Sequence, residues 1–195
     1  MNPHERLAGV RRVLANDDVR ALSRRYFIAN GFDGTLTTIG VVVGAYLSGV
    51  EEGAAIIVIG LGAAIGLGTS GIWSVWEIER AETSRSQERL EAAMLVSLTD
   101  TRLTEDLRNE QIVLATAAAA GPIIAILLTL SPFLLVGTVL DNLTGTLASI
   151  GIGVVLLGIV GAYLGSISRQ RWWVAAIRMG LAGIVVAVIS IVMPG

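Results

Sequence analysis

Five apolar stretches, each of about twenty residues, constrain this chain more than any other feature. They run from Tyr26 to Leu47, Ala54 to Trp76, Ile112 to Leu130, Leu143 to Leu164 and Trp172 to Val192. A helix needs roughly 20 residues to cross about 30 Å of hydrocarbon, and it satisfies its own backbone groups while doing so. The chain is 53% hydrophobic and only 15% charged, and its mean hydropathy of +0.72 is far above that of a soluble domain. The sequence therefore predicts an all-α, polytopic membrane protein with five transmembrane helices. The first stretch does not read as a cleaved leader, because it starts late, contains Asp33 and is followed by four more.

Orientation follows from the cations. All 14 basic residues are Arg: six precede the first stretch, five lie between the second and third, two between the fourth and fifth, and Arg178 sits inside the fifth. The alternate loops hold only Glu51, Glu52 and Asp141. This positive-inside pattern predicts a multi-pass cell-membrane protein with its N-terminus cytoplasmic and its C-terminus outside. Trp73, Trp76, Trp172 and Trp173 all fall at the cytoplasmic ends of their stretches, where amphipathic rings favour the interface. A net charge of −2 gives no support to a nucleic-acid partner; the lipid bilayer is the partner the Arg residues suit. With no Cys and a single His, His4, neither disulfides nor a His-rich zinc site are available.

Along the chain, residues 1–25 read as an amphipathic cytoplasmic helix with Leu7, Val10, Leu14 and Leu22 on its apolar side. Residues 26–76 hold the first two spans, residues 77–111 an acidic cytoplasmic insert, and residues 112–195 the last three spans. The insert reads as a short helical hairpin, a helix continuing from the second span, a break near Thr99-Asp100 where capping residues cluster, and a second helix entering the third span. A faint repeat pairs Gly34-Thr-Leu-Thr-Thr-Ile-Gly40 with Gly145-Thr-Leu-Ala-Ser-Ile-Gly151, each followed by Ala-Tyr-Leu. The predicted topology runs the two copies in opposite directions, the arrangement of an inverted transporter repeat. Chance recurrence of small and apolar residues is the plain alternative.

The stretch Phe32-Asp33-Gly34-Thr35-Leu36-Thr37 has the look of a phosphatase loop, but the nucleophilic Asp such a loop needs would stand at Gly31, and no Lys exists to hold a phosphoryl group. On a helix, Asn30, Asp33, Thr37, Gly40, Gly44 and Ser48 follow at steps of three or four and form one stripe. Gly40 and Gly44 make a small-xxx-small motif, which lets two helices approach closely. A carboxylate within a span costs on the order of 2.5 to 3.5 kcal/mol on insertion scales and so reads as an ion or proton site. If the glycine face mediates a symmetric dimer, two Asp33 and two Thr37 would line an oxygen-rich cation path with Asn30. Solvation of Asp33 near the interface, or pairing with Arg24 or Arg25, is the structural alternative.

From Tyr26 through Gly49, with Asp33-Gly34, the following Thr residues and the glycine-rich helix, the chain resembles the first span of the vacuolar iron transporter family. Five spans and an acidic insert after the second extend the resemblance along nearly the whole chain. It implies export of Fe²⁺, often with Mn²⁺, from the cytoplasm in exchange for protons, by a homodimer whose ion path lies between the two first spans. The metal is then the transported substrate, and no further cofactor is implied. The family's membrane Asp maps onto Asp33, and its metal-binding insert finds candidates in Glu79-x-x-Glu82 and Glu88-x-x-Glu91. The chain departs from the family at the end of the second span, where Thr69-Ser-Gly-Ile-Trp-Ser-Val-Trp-Glu77 contains no Met; Met94 is the one Met of the insert.

Read from spacing alone, Glu77, Glu79, Glu82, Glu88 and Glu91 share one helix. At about 100° per residue, Glu79 and Glu82 fall on one side and the other three roughly opposite. A chelate would therefore need Glu105 and Glu110 from the following helix, or a second copy. Carboxylate sites suit divalent cations such as Mn²⁺, Fe²⁺, Mg²⁺ and Ca²⁺. The alternative is a solvated helix with Glu77–Arg80, Glu82–Arg85 and Arg85–Glu88 ion pairs. The function this sequence favours is divalent-cation transport rather than catalysis. The competing reading is a non-transporting scaffold or metal sensor that uses the acidic insert. A lipid-acting enzyme fits least, because Asp33 and Asp141 lie near opposite membrane faces.

Overall fold

The computed structural model describes residue 9, residues 11–95 and residues 102–192, with the side chains of residues 102–104 left aside. Five long helices follow in order: α1 (Asp17–Leu47), α2 (Gly53–Met94), α3 (Arg102–Leu130), α4 (Asn142–Ile167) and α5 (Trp172–Val192). A 3₁₀ turn, Ser131–Leu135, follows α3. All five helices are long and apolar enough to cross a membrane. The polar ends of α1 (residues 17–25), α2 (77–94) and α3 (102–111) continue beyond their apolar stretches.

Local chemistry explains where the helices begin and end. Asn16 accepts the Asp18 amide at 3.0 Å, and Asp17 and Asp18 place negative charge in the first turn of α1, where both cap and dipole favour it. Gly49, at φ 75°, ends that helix, with the Val50 amide bonding back to the Ala45 carbonyl at 3.0 Å, a closure that a left-handed glycine permits. Asp141 caps α4 by accepting from Thr144, amide and hydroxyl both. The second span runs without interruption into the insert as far as Met94. The expected break near Thr99-Asp100 lies outside the described residues, as do Leu7, Val10 and His4.

Contacts divide the chain into two units. The first comprises Met1–Phe27 and Gly68–Ala120. Its core is Val13, Val19, Val75, Leu114, Ala115 and Ala118, with Leu22, Tyr26 and Val113 packed against it. Val13 and Val19 take the buried positions before and at the start of α1, whereas Leu14, expected on the apolar side, is exposed. An Arg12–Asp106 ion pair at 3.4 Å spans the N-terminal segment and α3.

The second unit comprises Ile28–Leu67 and Gly121–Gly195. One core cluster joins Val42, Ala45, Ile56, Ala64, Ile126, Leu130 and Phe133, and another joins Ile39, Val43, Leu157 and Ala187. Gly34 sits so close to α3 that a Cβ there would lie 2.7 Å from Pro122 Cα. The glycine is required by contact with backbone, which cannot swing aside. Ser149 of α4 donates to the Thr129 carbonyl of α3 at 2.7 Å, a buried bond between helices.

The repeat has a structural counterpart inside this unit. Thr35 and Thr146 are both buried and both donate back to the carbonyl four residues earlier, at Gly31 and Asn142. Thr38 and Ser149 are buried as well. Gly34 and Gly145 are both buried, while a Cβ on Gly151 would meet nothing and one on Gly40 only the Ser190 hydroxyl at 3.8 Å. The two segments thus turn the same positions inward.

Candidate functional site

Two sets of side chains, one in each unit, carry the acidic chemistry. In the second unit, α1 has two unlike faces. Thr35, Thr38, Ile39, Val42, Val43 and Ala45 are buried. The other face carries the stripe expected from sequence: Asp33 is exposed, Asn30, Thr37, Gly40 and Gly44 are half-buried, and Ser48, also exposed, follows in the turn after the helix. A Cβ on Gly44 would meet nothing within 4 Å. Asp33 therefore stands exposed on an open, small-residue face, with the Thr37 hydroxyl one turn further along.

In the first unit, the polar ends of the helices assemble the other set. Glu79 is only 9% exposed and accepts the Tyr26 hydroxyl at 2.8 Å. Glu110 lies near enough to feel the charges of both Glu79 and Asp18, and burial, followed by those two carboxylates, holds its carboxyl above the usual range. Burial and like charge both disfavour the ionised form, so a neighbouring cation would be stabilising here. Gln111, 8% exposed, bonds across to the Thr83 hydroxyl at 3.2 Å and fixes α3 against α2 beside this group.

The remaining expected ligands are more dispersed. Glu77 forms a loose ion pair with Arg80 at 3.9 Å, and among the ion pairs of the described residues neither Glu82–Arg85 nor Arg85–Glu88 occurs. Glu82, Glu88 and Glu105 are exposed, and Glu91 is half-buried. Among the described residues no three acidic, His or Cys side chains converge closely enough to hold a metal ion. Within one chain Glu110 feels the charges of Glu79 and Asp18, while the i, i+3 pair Glu79 and Glu82 is split between a buried and an exposed position. Tyr26 stands in the sequence only as the first residue of an apolar stretch, and no spacing pattern singles out Asp18. The one available signal was a lone tyrosine at the boundary between polar and apolar sequence.

Also in the second unit, the α1–α2 and α3–α4 loops border an open cavity of about 700 Å³ lined by Tyr46, Glu51, Gly137, Asp141 and Asn142 among others. Asn142 holds the loops together, donating to the Val50 carbonyl at 2.8 Å. The Thr144 hydroxyl, by bonding to Asp141, keeps that carboxyl below its ordinary range, so it stays anionic.

Fold and site together define a polytopic helical membrane protein whose acidic side chains suit a cation. Residues 73–194 match the VIT family, and the chain belongs to that family, the vacuolar iron transporters and their membrane relatives. Its class is accordingly that of membrane metal-ion transporters. The match begins within α2, so α1 and Asp33 stand outside it. Over 168 residues, 85% of this chain and 85% of the relative, the sequence is 29% identical to an uncharacterized protein of Methanocaldococcus jannaschii. No solved structure matches the chain.

Proposed function

We propose that the protein exports Fe²⁺, and Mn²⁺ with it, from the cytoplasm through a path between the first spans of a homodimer, with protons moving the other way. One observation carries the reading: Asp33 is exposed on the open face of α1 that also holds Gly40 and Gly44. An exposed carboxylate facing lipid would be costly, and a second copy of the same face removes that cost by placing the two Asp33 groups and their Thr37 neighbours around a shared polar path.

The carboxylates on the polar helix ends gather cations at the cytoplasmic side, where the Arg distribution puts them. Glu110, already inclined to hold a proton, exchanges it for a divalent ion arriving beside Glu79. At Asp33 the same exchange operates: the carboxylate accepts the cation and takes a proton once the ion has left, which supplies the coupling. Asp141 and Glu51 line an acidic vestibule at the opposite end. Oxygen-only ligands favour Fe²⁺ and Mn²⁺ over softer ions.

The test is a metal panel in proteoliposomes with an imposed pH gradient. Fe²⁺ and Mn²⁺ uptake that rises with the gradient, and carries protons outward as metal enters, is the expected outcome. Metal binding to the protein without any flux would replace this reading with that of a metal-sensing scaffold.

A further inference from the structure

A second cavity, of about 340 Å³, lies in the first unit between the polar end of α2 and the start of α3, and the transport reading makes no use of it. From α2 it is lined by Trp76, Arg80, Thr83 and Gln87, which recur at steps of three or four and share one helix face. From α3 come Leu107, Arg108 and Gln111. Two guanidinium groups, hydroxyls and amides line it, and no carboxylate does.

Its cations are free to take a ligand. Arg108 forms no ion pair among the described residues, and Arg80 has only the exposed, 3.9 Å contact with Glu77, the kind of pair worth little in water. Gln111 is fixed through its bond to Thr83, so the cavity wall is pre-arranged. Its depth identifies the ligand. Arg80 stands four residues beyond Trp76, where the apolar stretch of α2 ends, and Arg108 four residues before Ile112, where that of α3 begins. At 1.5 Å per residue both lie about 6 Å outside the hydrocarbon, within the roughly 5 to 7 Å of headgroup on each side of a bilayer. A Trp marks the same boundary, as interface rings do.

We infer that this cavity binds the phosphodiester headgroup of an anionic phospholipid, with Arg80 and Arg108 on the phosphate and Thr83 and Gln87 available to the headgroup's hydroxyls. Arg pairs phosphate oxygens through two parallel N–H bonds, which gives such a site geometry as well as charge. The assignment is independent of whether the protein transports metal.

The full chain in nanodiscs of mixed phosphatidylglycerol and phosphatidylcholine, examined by native mass spectrometry, tests it. Wild type is expected to retain one phosphatidylglycerol per chain in preference to phosphatidylcholine. The Arg80→Gln/Arg108→Gln double variant should retain it roughly 30-fold less tightly, from about 1 kcal/mol per Arg at a membrane surface. Arg169→Gln, on the loop after α4, should behave as wild type. Absence of any wild-type preference for phosphatidylglycerol, or undiminished retention by the double variant, would overturn the site. The wild-type preference needs no substitution, so the outcome stands even if the double variant fails to fold. Titration of inorganic phosphate into phosphatidylcholine nanodiscs separates the two sources of the same chemistry: no binding is expected, and tight binding of free phosphate without lipid preference would overturn the lipid assignment.

Discussion

The Tyr26 hydroxyl donates to Glu79 across 2.8 Å, joining residues 53 positions apart. It holds a largely buried carboxylate at the polar end of α2 against the start of the first apolar stretch. Hydrogen bonds to charged groups contribute about 1.5 to 3 kcal/mol, and a buried acceptor left without its donor costs comparably. Tyr26→Phe should therefore destabilise the protein by about 1 to 3 kcal/mol, read as a lowered Tm in detergent. An unchanged Tm would mean that water replaces the phenol.

Glu110 gives a pH signature. Its folded carboxyl is held above the unfolded value near 4.3 by burial, then by Glu79 and Asp18. Below the unfolded value both states carry the proton and nothing is lost. As pH rises through the folded value, the unfolded chain releases its proton first, and stability falls. Wild-type stability should decline over that interval and level off above it. Glu110→Gln should flatten the decline; a profile identical to wild type would contradict a Glu110 carboxyl raised by burial and by the charges of Glu79 and Asp18.

Gly34 and Gly44 should respond oppositely to the same added methyl. At Gly34 a Cβ would press on the backbone of Pro122, and overpacking of this kind costs about 1 to 3 kcal/mol. At Gly44 there is space within one chain, and Ala is the better helix former by about 1 kcal/mol. Gly34→Ala should lower Tm, whereas Gly44→Ala should leave the fold intact. Equal losses at both would show that the open face is already filled within one chain.

Since the chain has no Cys, single cysteines report proximity cleanly. Gly44→Cys should give an oxidised dimer on a gel in membranes, because a disulfide needs Cα atoms within about 7 Å and a glycine crossing brings helices that close. Val58→Cys, on an exposed position of α2, should not. Cross-linking at Val58 and none at Gly44 would move the interface to another face.

These relationships show what sequence carries and what it withholds. The ends of the apolar stretches at Leu47, Leu130, Trp172 and Val192 coincide with helix ends, because length and hydropathy are local properties. The stripe through Asp33 was legible too, since a helix fixes which positions share a face. The partners of that face were not. Glu79 and Glu82 share a side of α2 by spacing, yet one is buried against Tyr26 and the other exposed. That choice is made by helices whose positions no i, i+3 rule contains. Gly34 likewise has its reason in Pro122, 88 residues later. Asp18 entered the acidic group only once α1 and α3 were brought together.

The most direct measurement is Mn²⁺ and Fe²⁺ flux in proteoliposomes, under a pH gradient, for wild type and for Asp33→Ala and Asp33→Asn, each first shown to be folded. Asp33 bears both the ion and the proton in the proposed path, so both variants are expected to lose metal flux and the coupled proton movement to the level of empty vesicles. Flux at the wild-type rate in either folded variant would contradict a path through Asp33.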